Sequence, residues 1–131
     1  MKPAPALTNN LTQSDLDRLH RFRIPDDLIE LHEVHRVSDP EARECGIHYR
    51  GNLAGVLFPI FGADGNIKAF RLRRDNPEIE DGKPKAKYVQ SVDLPHLYFE
   101  RSSRQFLSDL SVPILFVEAY SSALAVAAWC Q

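Results

Sequence analysis

The chain is poor in the features that define several classes of protein. It has two cysteines, Cys45 and Cys130, and neither lies in a CxxC pair or in another zinc-ligand spacing, which argues against a disulfide framework or a zinc centre. No apolar run reaches the roughly 18 residues of a membrane span. The N-terminal residues lack the basic and apolar regions of a secretory signal. We therefore expect two reduced thiols and a cytoplasmic protein without a membrane partner.

Several catalytic signatures and any strong net charge are also absent. The sequence has no GxSxG elbow, P-loop or dinucleotide fingerprint, so nucleophilic hydrolase classes gain little support. The histidines do not have the HExxH spacing of a zinc site, and we expect them to be solvated: His20, His32, His35 and His48. A net charge of −2 gives no global attraction to nucleic acid. Basic residues between 68 and 87 flank an acidic loop, which on spacing alone indicates a solvated face.

The first third of the chain carries helix signals. Thr12 with Asp15, and Ser38 with Glu41, have capping-box spacing, and Pro25 suits a first helical turn. These patterns predict helices over 13–22 and 25–33 and a third after residue 38, which Gly46 would end. We expect a disordered lead over 1–10 and a helical module over 11–46.

From residue 47 the pattern becomes that of β-strands. LAGVLFPIF, a GADG turn and NIKAFRLRR predict a hairpin of 54–61 against 66–73. DNPEIEDGKP is typical of an exposed loop, AKYVQS of a short strand, and 96–99 of a further strand. Residues 100–109 are predicted as helix, 113–117 as an apolar strand, and the alanine-rich end as helix. The sequence thus predicts an α+β or α/β protein with a mainly antiparallel β subdomain over 47–110 and a strand–helix unit over 111–131.

One acid, Glu118, lies between that last strand and helix. At the carboxyl end of a sheet strand it would face the crevice where open α/β sheets bind ligands. The alternative is a helix-start residue, favoured by the positive end of the helix dipole. Spacing alone leaves both open.

The order of several segments resembles the catalytic core of bacterial and phage primases of the DnaG type, over about residues 47–126. The matching segments are Phe58-Pro59-Ile60, Asp64-Gly65, Ala69-Phe70 with Arg73, Lys85 to Ser91, Leu97-Tyr98, and Val117-Glu118-Ala119-Tyr120. The last of these resembles the opening of a Toprim domain. The helical front end resembles the leader of phage-type and plasmid-type Toprim proteins, many of them domains of unknown function.

The resemblance implies roles for individual residues. Glu118 corresponds to the Toprim glutamate, which takes part in acid/base or Mg²⁺ chemistry during phosphodiester transfer. Arg73 and Lys87 match basic positions that hold template or nucleotide phosphates, with Arg71, Lys85 and Arg74 as further candidates. Arginine can grip phosphate oxygens bidentately, and lysine supplies a mobile point charge. Tyr88 either stacks on a base or packs against the sheet. We expect Glu118, Arg73 and Lys87 to share one pocket.

The chain also departs from the primase pattern. A Toprim site needs an Asp-x-Asp pair, but no acid follows Glu118; Ala119 replaces the family glycine, and Ser121 or Ser122 replaces a downstream acid. A single carboxylate does not hold Mg²⁺ tightly, so we do not expect nucleotidyl transfer by this chain alone. We suspect a fragment or a degenerate member of a primase-like replication protein that binds single-stranded DNA or nucleotides and lacks its C-terminal half.

Two other hypotheses stay open. The chain could be a non-catalytic nucleic-acid-binding module that uses Arg71, Arg73, Lys85 and Lys87. It could instead be an assembly piece whose open sheet edge, with Leu115 and Val117, pairs with a protein partner that carries the missing carboxylates.

Overall fold

The computed structural model describes residues 10–91 and 97–130, which form a mixed α+β fold. Its helices are α1 (Gln13–Arg21), α2 (Asp26–Leu31), α3 (Asp39–Glu44) and α4 (Tyr120–Trp129), with a 3₁₀ helix at Arg101–Phe106. Its strands are β1 (His35–Val37), β2 (Gly55–Phe61), β3 (Ile67–Arg74), β4 (Ile79–Glu80), β5 (Lys83–Pro84) and β6 (Tyr88–Gln90). The predicted lead over 1–10 lies outside the described residues except for Asn10.

Both predicted capping boxes are present and confirm the helical front end. The Thr12 hydroxyl accepts the Asp15 N–H at 3.1 Å, and the Asp15 carboxylate accepts the Thr12 N–H at 2.9 Å. Ser38 and Glu41 make the same reciprocal bonds at the start of α3. Such caps satisfy N–H groups that lack partners within the helix. Gly46 follows α3 with φ +84°, a conformation that glycine adopts without strain.

The predicted hairpin forms the centre of a four-stranded antiparallel sheet of order β1-β2-β3-β6. β2 pairs with β3 along its whole length, from Gly55 opposite Arg74 to Phe61 opposite Ile67. β6 confirms the predicted strand in AKYVQS and pairs with β3. The pattern did not predict β1, or the β4–β5 ribbon within the segment expected to be a loop, because two or three residues are too few to show a period.

The sheet lies between two apolar cores. On one face Val56 and Phe58 pack with Leu28 of α2 and Leu124 of α4. On the opposite face Leu57 and Leu72 pack with α3 and the segment that follows it, through residues such as Ala42, Ile47 and Leu53. The first core therefore brings α1, α2 and α4 onto the face of the sheet to which Arg71 and Arg73 belong by register.

The C-terminal segment differs from its prediction. Residues 113–117 form no strand, and their side chains are exposed, so the expected sheet edge with Leu115 and Val117 was wrong. The strand expected over 96–99 is also absent at residues 97–99, while residue 96 is not described. The helix predicted over 100–109 is the shorter 3₁₀ helix, and the C-terminal helix is confirmed as α4. In the described ranges, no helix has the length and apolar character needed to span a bilayer.

Candidate nucleic-acid interface

Three of the predicted binding residues lie on one face of the sheet. In the register of β3 and β6, Arg73 is opposite Tyr88 and Arg71 is opposite Gln90. Directly paired residues of an antiparallel sheet project to the same side. The Arg71 guanidinium lies 5.0 Å from the centre of the Tyr88 ring, and its Nη1 donates to Gln90 Oε1 at 3.3 Å. Tyr88 is 40% exposed, so its ring is not packed away in the core.

This face borders a narrow cleft between the sheet, α1 and the first turn of α4. The cleft's charged, aromatic and hydroxyl lining is formed by Arg18, Phe22, Phe58, Arg73, Tyr88 and Ser121. Arg73 is half-buried, and within residues 10–91 and 97–130 its guanidinium has no ion pair or hydrogen bond. A half-buried cation without an acidic partner keeps its full capacity to bind an anion.

Asp15 also borders the cleft, but Arg36 forms an ion pair with its carboxylate. Both of its oxygens accept from Arg36, at 2.9 Å from Nε and 2.8 Å from Nη2. Burial alone would raise the pKa of Asp15, but the bonds from Arg36 and Thr12 outweigh it and hold the pKa below its usual value. The nearest approach of Arg18 to this carboxylate is a long 3.9 Å. Asp15 is thus a fixed anion bound to Arg36, and it leaves Arg18 only weakly held.

Lys85 and Lys87 lie elsewhere. Lys85 Nζ pairs with Glu80 at 2.9 Å on the exposed β4–β5 ribbon. Lys87 precedes Tyr88, and its carbonyl accepts the Arg74 N–H at 2.8 Å, which places it on the opposite face of the sheet from Tyr88 and Arg73 by register. Arg73 and Lys87 therefore do not share the expected pocket. A role for either lysine in phosphate binding stays a prediction.

Arg74 is structural rather than available to phosphate. Its side chain is fully buried, makes a bidentate ion pair with Glu78 at 2.8 and 3.0 Å, and donates to the carbonyls of Asn52, Ala86 and Arg50. Its guanidinium also lies 5.2 Å from the centre of the Tyr49 ring. Because every part of the guanidinium is occupied, its candidacy as a phosphate ligand was wrong.

Glu118 is exposed just before α4. Among the described residues its carboxylate has no hydrogen bond or ion pair, and the N-cap of α4 is Ala119 without a side-chain cap. No hydrogen bond therefore supports the alternative in which Glu118 caps the start of α4. Ser121, three residues further on, lines the cleft, but Glu118 is not among the residues that line it, so the expected pocket shared by Glu118, Arg73 and Lys87 is not formed there.

Among the described residues, Glu118 does not belong to a cluster of metal-ligating side chains. In the parts of the chain that the structure describes, no group of three or more histidine, cysteine, aspartate or glutamate side chains is placed to hold an ion. Glu118 alone offers too few of the oxygen ligands that Mg²⁺ prefers. A Mg²⁺ ion at Glu118 would need further oxygen ligands.

A buried polar network was missed by the sequence patterns. His32 is buried, which makes the expectation of a solvated side chain wrong at this position. Its Nε2 lies 2.6 Å from Glu100 Oε2, and the Tyr98 hydroxyl lies 2.6 Å from its Nδ1. Glu100 in turn accepts from the backbone N–H groups of Ser102 and Ser103. No local pattern signals contacts across more than 60 residues, although an acid two residues before paired serines is a capping arrangement.

Searches against protein-family models, curated proteins and solved structures returned no match for this chain. The site is therefore described by its own geometry.

Proposed function

We propose that this chain binds single-stranded nucleic acid through the face formed by Arg71, Arg73 and Tyr88, as part of a Toprim- or primase-like replication protein. The observation that carries the proposal is the placement of Arg73 directly opposite an exposed tyrosine ring; Arg73 is half-buried, and among the described residues its guanidinium has no acidic partner. Arginine binds phosphate, and an aromatic ring offers any base a stacking surface. The combination suits a strand whose bases are unpaired.

The proposal does not include nucleotidyl transfer by these residues alone. Glu118 is the residue to which the resemblance assigns the chemistry, but one carboxylate cannot hold the metal ions of phosphoryl transfer. Its catalytic role therefore depends on further carboxylates from another segment or partner. Binding is the function that the described residues can perform themselves.

Fluorescence anisotropy with a labelled oligothymidylate tests this function. Binding should weaken as salt rises, with log affinity falling by about 0.7 per log unit of salt for each phosphate that is neutralised. Arg73→Gln should lower both the affinity and this slope. Lys83→Gln removes a cation from the exposed β4–β5 ribbon and serves as the matched control. If the wild-type protein binds no single strand at low salt, the proposal is wrong.

A second candidate function is assembly with a protein partner, and the C-terminal segment favours it. Ile114, Leu115 and Phe116 are 63%, 67% and 79% exposed. In the described structure the backbone of residues 113–117 makes no hydrogen bond. A continuous apolar run with free N–H and C=O groups is suited to pairing with a strand of another chain.

Hydrodynamic measurements separate the two candidates. An assembly piece should self-associate or bind its partner through this segment, and Leu115→Gln with Phe116→Gln should abolish that association while leaving oligonucleotide binding unchanged, because neither change alters the charge. Ile79→Gln, at an exposed apolar position of β4, is the matched control. A wild-type protein that stays monomeric at all concentrations and captures no strand-bearing partner would count against assembly.

A further inference from the structure

We infer that the helical module completes the binding site: Arg18 of α1 and Phe22 at its C-terminal end, together with Arg73 and Tyr88 of the sheet, contact one nucleotide unit at the mouth of the cleft, with the arginines on its phosphate and the aromatic rings on its base. The cleft itself is small, about 40 Å³, so the nucleotide would lie over it rather than inside it. The inference rests on the proposed function and deepens it. It gives α1 a direct role in binding, which neither the charge pattern nor the primase resemblance implies.

The cleft is built from two parts of the chain that are far apart in sequence. Arg18 lies in the last turn of α1, and Phe22 caps the C-terminal end of that helix four residues later. Both line the cleft together with Arg73 and Tyr88. Phe58 of β2 lines it as well. The walls of the cleft are thus cationic and aromatic on both sides.

Phe22 is unusual in its exposure. It follows the last residue of α1 and is 55% exposed, whereas Leu19 on the same helix is buried in the core. Folding therefore does not need the Phe22 ring in the core. A solvent-facing ring beside the exposed Tyr88 is the arrangement that binds unpaired bases by stacking.

The net charge of the side chains at the cleft is positive and favours binding of an anion. Asp15 is the acid that lines it, and Arg36 already neutralises Asp15 through two hydrogen bonds. Arg36 is in turn shared with Asp75. Asp15 and Asp75 together balance two of the three arginines Arg18, Arg36 and Arg73, so among the described residues of this group one positive charge is uncompensated. Arg71 beside Tyr88 adds another. A phosphate would balance this excess, and Arg18 and Arg73 are the two guanidinium groups on the cleft wall.

The same chemistry occurs in a nucleotide within a strand and in a free nucleotide. The structure favours the strand, because the cleft opens beside Arg71 and Tyr88 at the edge of the sheet, where a chain of phosphates could continue. The experiment includes both ligands, so that the two sources are distinguished.

The test compares variants of the full chain for binding to oligothymidylate, to an abasic oligomer of equal charge, and to thymidine triphosphate. Arg18→Gln should lower the salt slope by about 0.7, the value for one phosphate on a single strand. Phe22→Ala should weaken binding of oligothymidylate by about 5- to 150-fold, the range of one base–aromatic stack, and should leave the abasic oligomer unaffected. Arg21→Gln, on the same helix but outside the cleft, is the control for charge.

The outcomes separate this inference from the proposed function. If Arg73→Gln weakens binding while Arg18→Gln and Phe22→Ala bind like the wild type, nucleic-acid binding stands and the role of α1 is wrong. If no oligomer binds but the free nucleotide does so in an Arg18-dependent manner, the cleft is a nucleotide site and the strand proposal fails. If neither ligand binds the folded protein, both are wrong. Thermal melting of each variant checks folding. The melting temperature of Phe22→Ala should equal that of the wild type, because the ring is exposed.

Discussion

His32 and Glu100 form a buried pair in which His32 Nε2 lies 2.6 Å from Glu100 Oε2. The Tyr98 hydroxyl lies at the other ring nitrogen, so both nitrogens of His32 are used. Glu100 also accepts from the backbone of Ser102 and Ser103 at the start of the 3₁₀ helix. The pair therefore fixes the segment that begins at residue 97 to the end of α2.

This pair should make stability depend on acid pH. Burial alone would raise the pKa of Glu100, but the hydrogen bonds from His32, Ser102 and Ser103 outweigh it and hold the pKa at about 2, against an ordinary 4.5. Because the folded pKa is the lower one, the stabilisation is present above pH 4.5 and is lost as the pH falls toward 2. The free energy that the lowered pKa of Glu100 contributes to stability is on the order of 3 kcal/mol. Urea unfolding across this range measures it.

Glu100→Gln should remove most of this pH dependence and lower the free energy of unfolding at neutral pH. Glu30→Gln, at an exposed position of α2, should leave both unchanged. A Glu100→Gln protein that loses stability between pH 5 and pH 2 as steeply as the wild type would show that other carboxylates dominate the acid transition.

A second prediction concerns Arg74, the fully buried arginine that joins β3 to Glu78 and to three backbone carbonyls. Arg74→Ala should lower the free energy of unfolding by about 3 kcal/mol or more, because those carbonyls would lose their donor inside the protein. Glu78→Gln should be less destabilising than Arg74→Ala, since the Glu78 side chain is partly solvated and the amide oxygen can still accept from the guanidinium. Chemical denaturation compares the two.

Arg74→Lys distinguishes charge from geometry. Lysine keeps the charge but cannot reproduce the planar fork, so we expect it to be nearly as destabilising as alanine. Arg50→Gln removes a nearby exposed cation whose approach to Glu80 is 4.0 Å, and it should change stability little. Equal stability of the lysine variant and the wild type would contradict the role given to the fork.

The helices and the central hairpin could be predicted because their signals are local. The capping-box spacing marks the start of two helices, at Thr12 with Asp15 and at Ser38 with Glu41. The GADG turn between two apolar runs defines the register of β2 and β3. The burial of Arg74 could not be predicted, because its partners at Asn52 and Glu78 are set by how two loops fold around it. The run at 113–117 has the composition of a strand, but a strand needs a neighbour, and sequence pattern says nothing about whether one is present.

A third prediction follows from the tight β2–β3 pairing at Gly55. A Cβ added there would lie 2.0 Å from the Arg73 carbonyl oxygen, which is backbone and cannot move aside. Gly55→Ala should therefore lower the free energy of unfolding by about 3 kcal/mol, at the upper end for overpacking, and should displace Arg73. Thermal or urea unfolding, with oligonucleotide binding on the folded fraction, measures both effects.

Gly82→Ala is the matched control in the β4–β5 turn. Its φ of +75° makes alanine strained, but nothing lies within 4 Å of the added Cβ. We expect about 1 kcal/mol from backbone strain alone and no change in binding. If Gly55→Ala is no more destabilising than Gly82→Ala, β2 and β3 are not paired as closely as the structure has them.

The candidate site was only partly predictable for a related reason. Alternation along β3 places Arg71 and Arg73 on one face, and the short strand with Tyr88 can be recognised from its composition. The side of the sheet taken by Lys87 depends on the register of β6, which no local signal fixes. The contribution of Arg18 and Phe22 depends on how α1 packs over the sheet, a contact between segments more than 50 residues apart.

The last prediction concerns Asp15: removing its charge should lower the stability of the protein but raise its affinity for nucleic acid. Asp15→Asn should lower the free energy of unfolding by about 1–3 kcal/mol, because the buried carboxylate holds Arg36 through two hydrogen bonds. The same change removes a negative charge from the cleft, so affinity for oligothymidylate should rise by about threefold at low ionic strength, as expected for a charge roughly 6 Å away in water. Urea unfolding and fluorescence anisotropy on the same preparation measure the two effects. Asp17→Asn, at an exposed position of α1 that does not line the cleft, should change neither by a comparable amount. A less stable Asp15→Asn protein whose affinity falls would mean that Asp15 supports the site through structure alone, and that the cleft's positive charge does not drive binding.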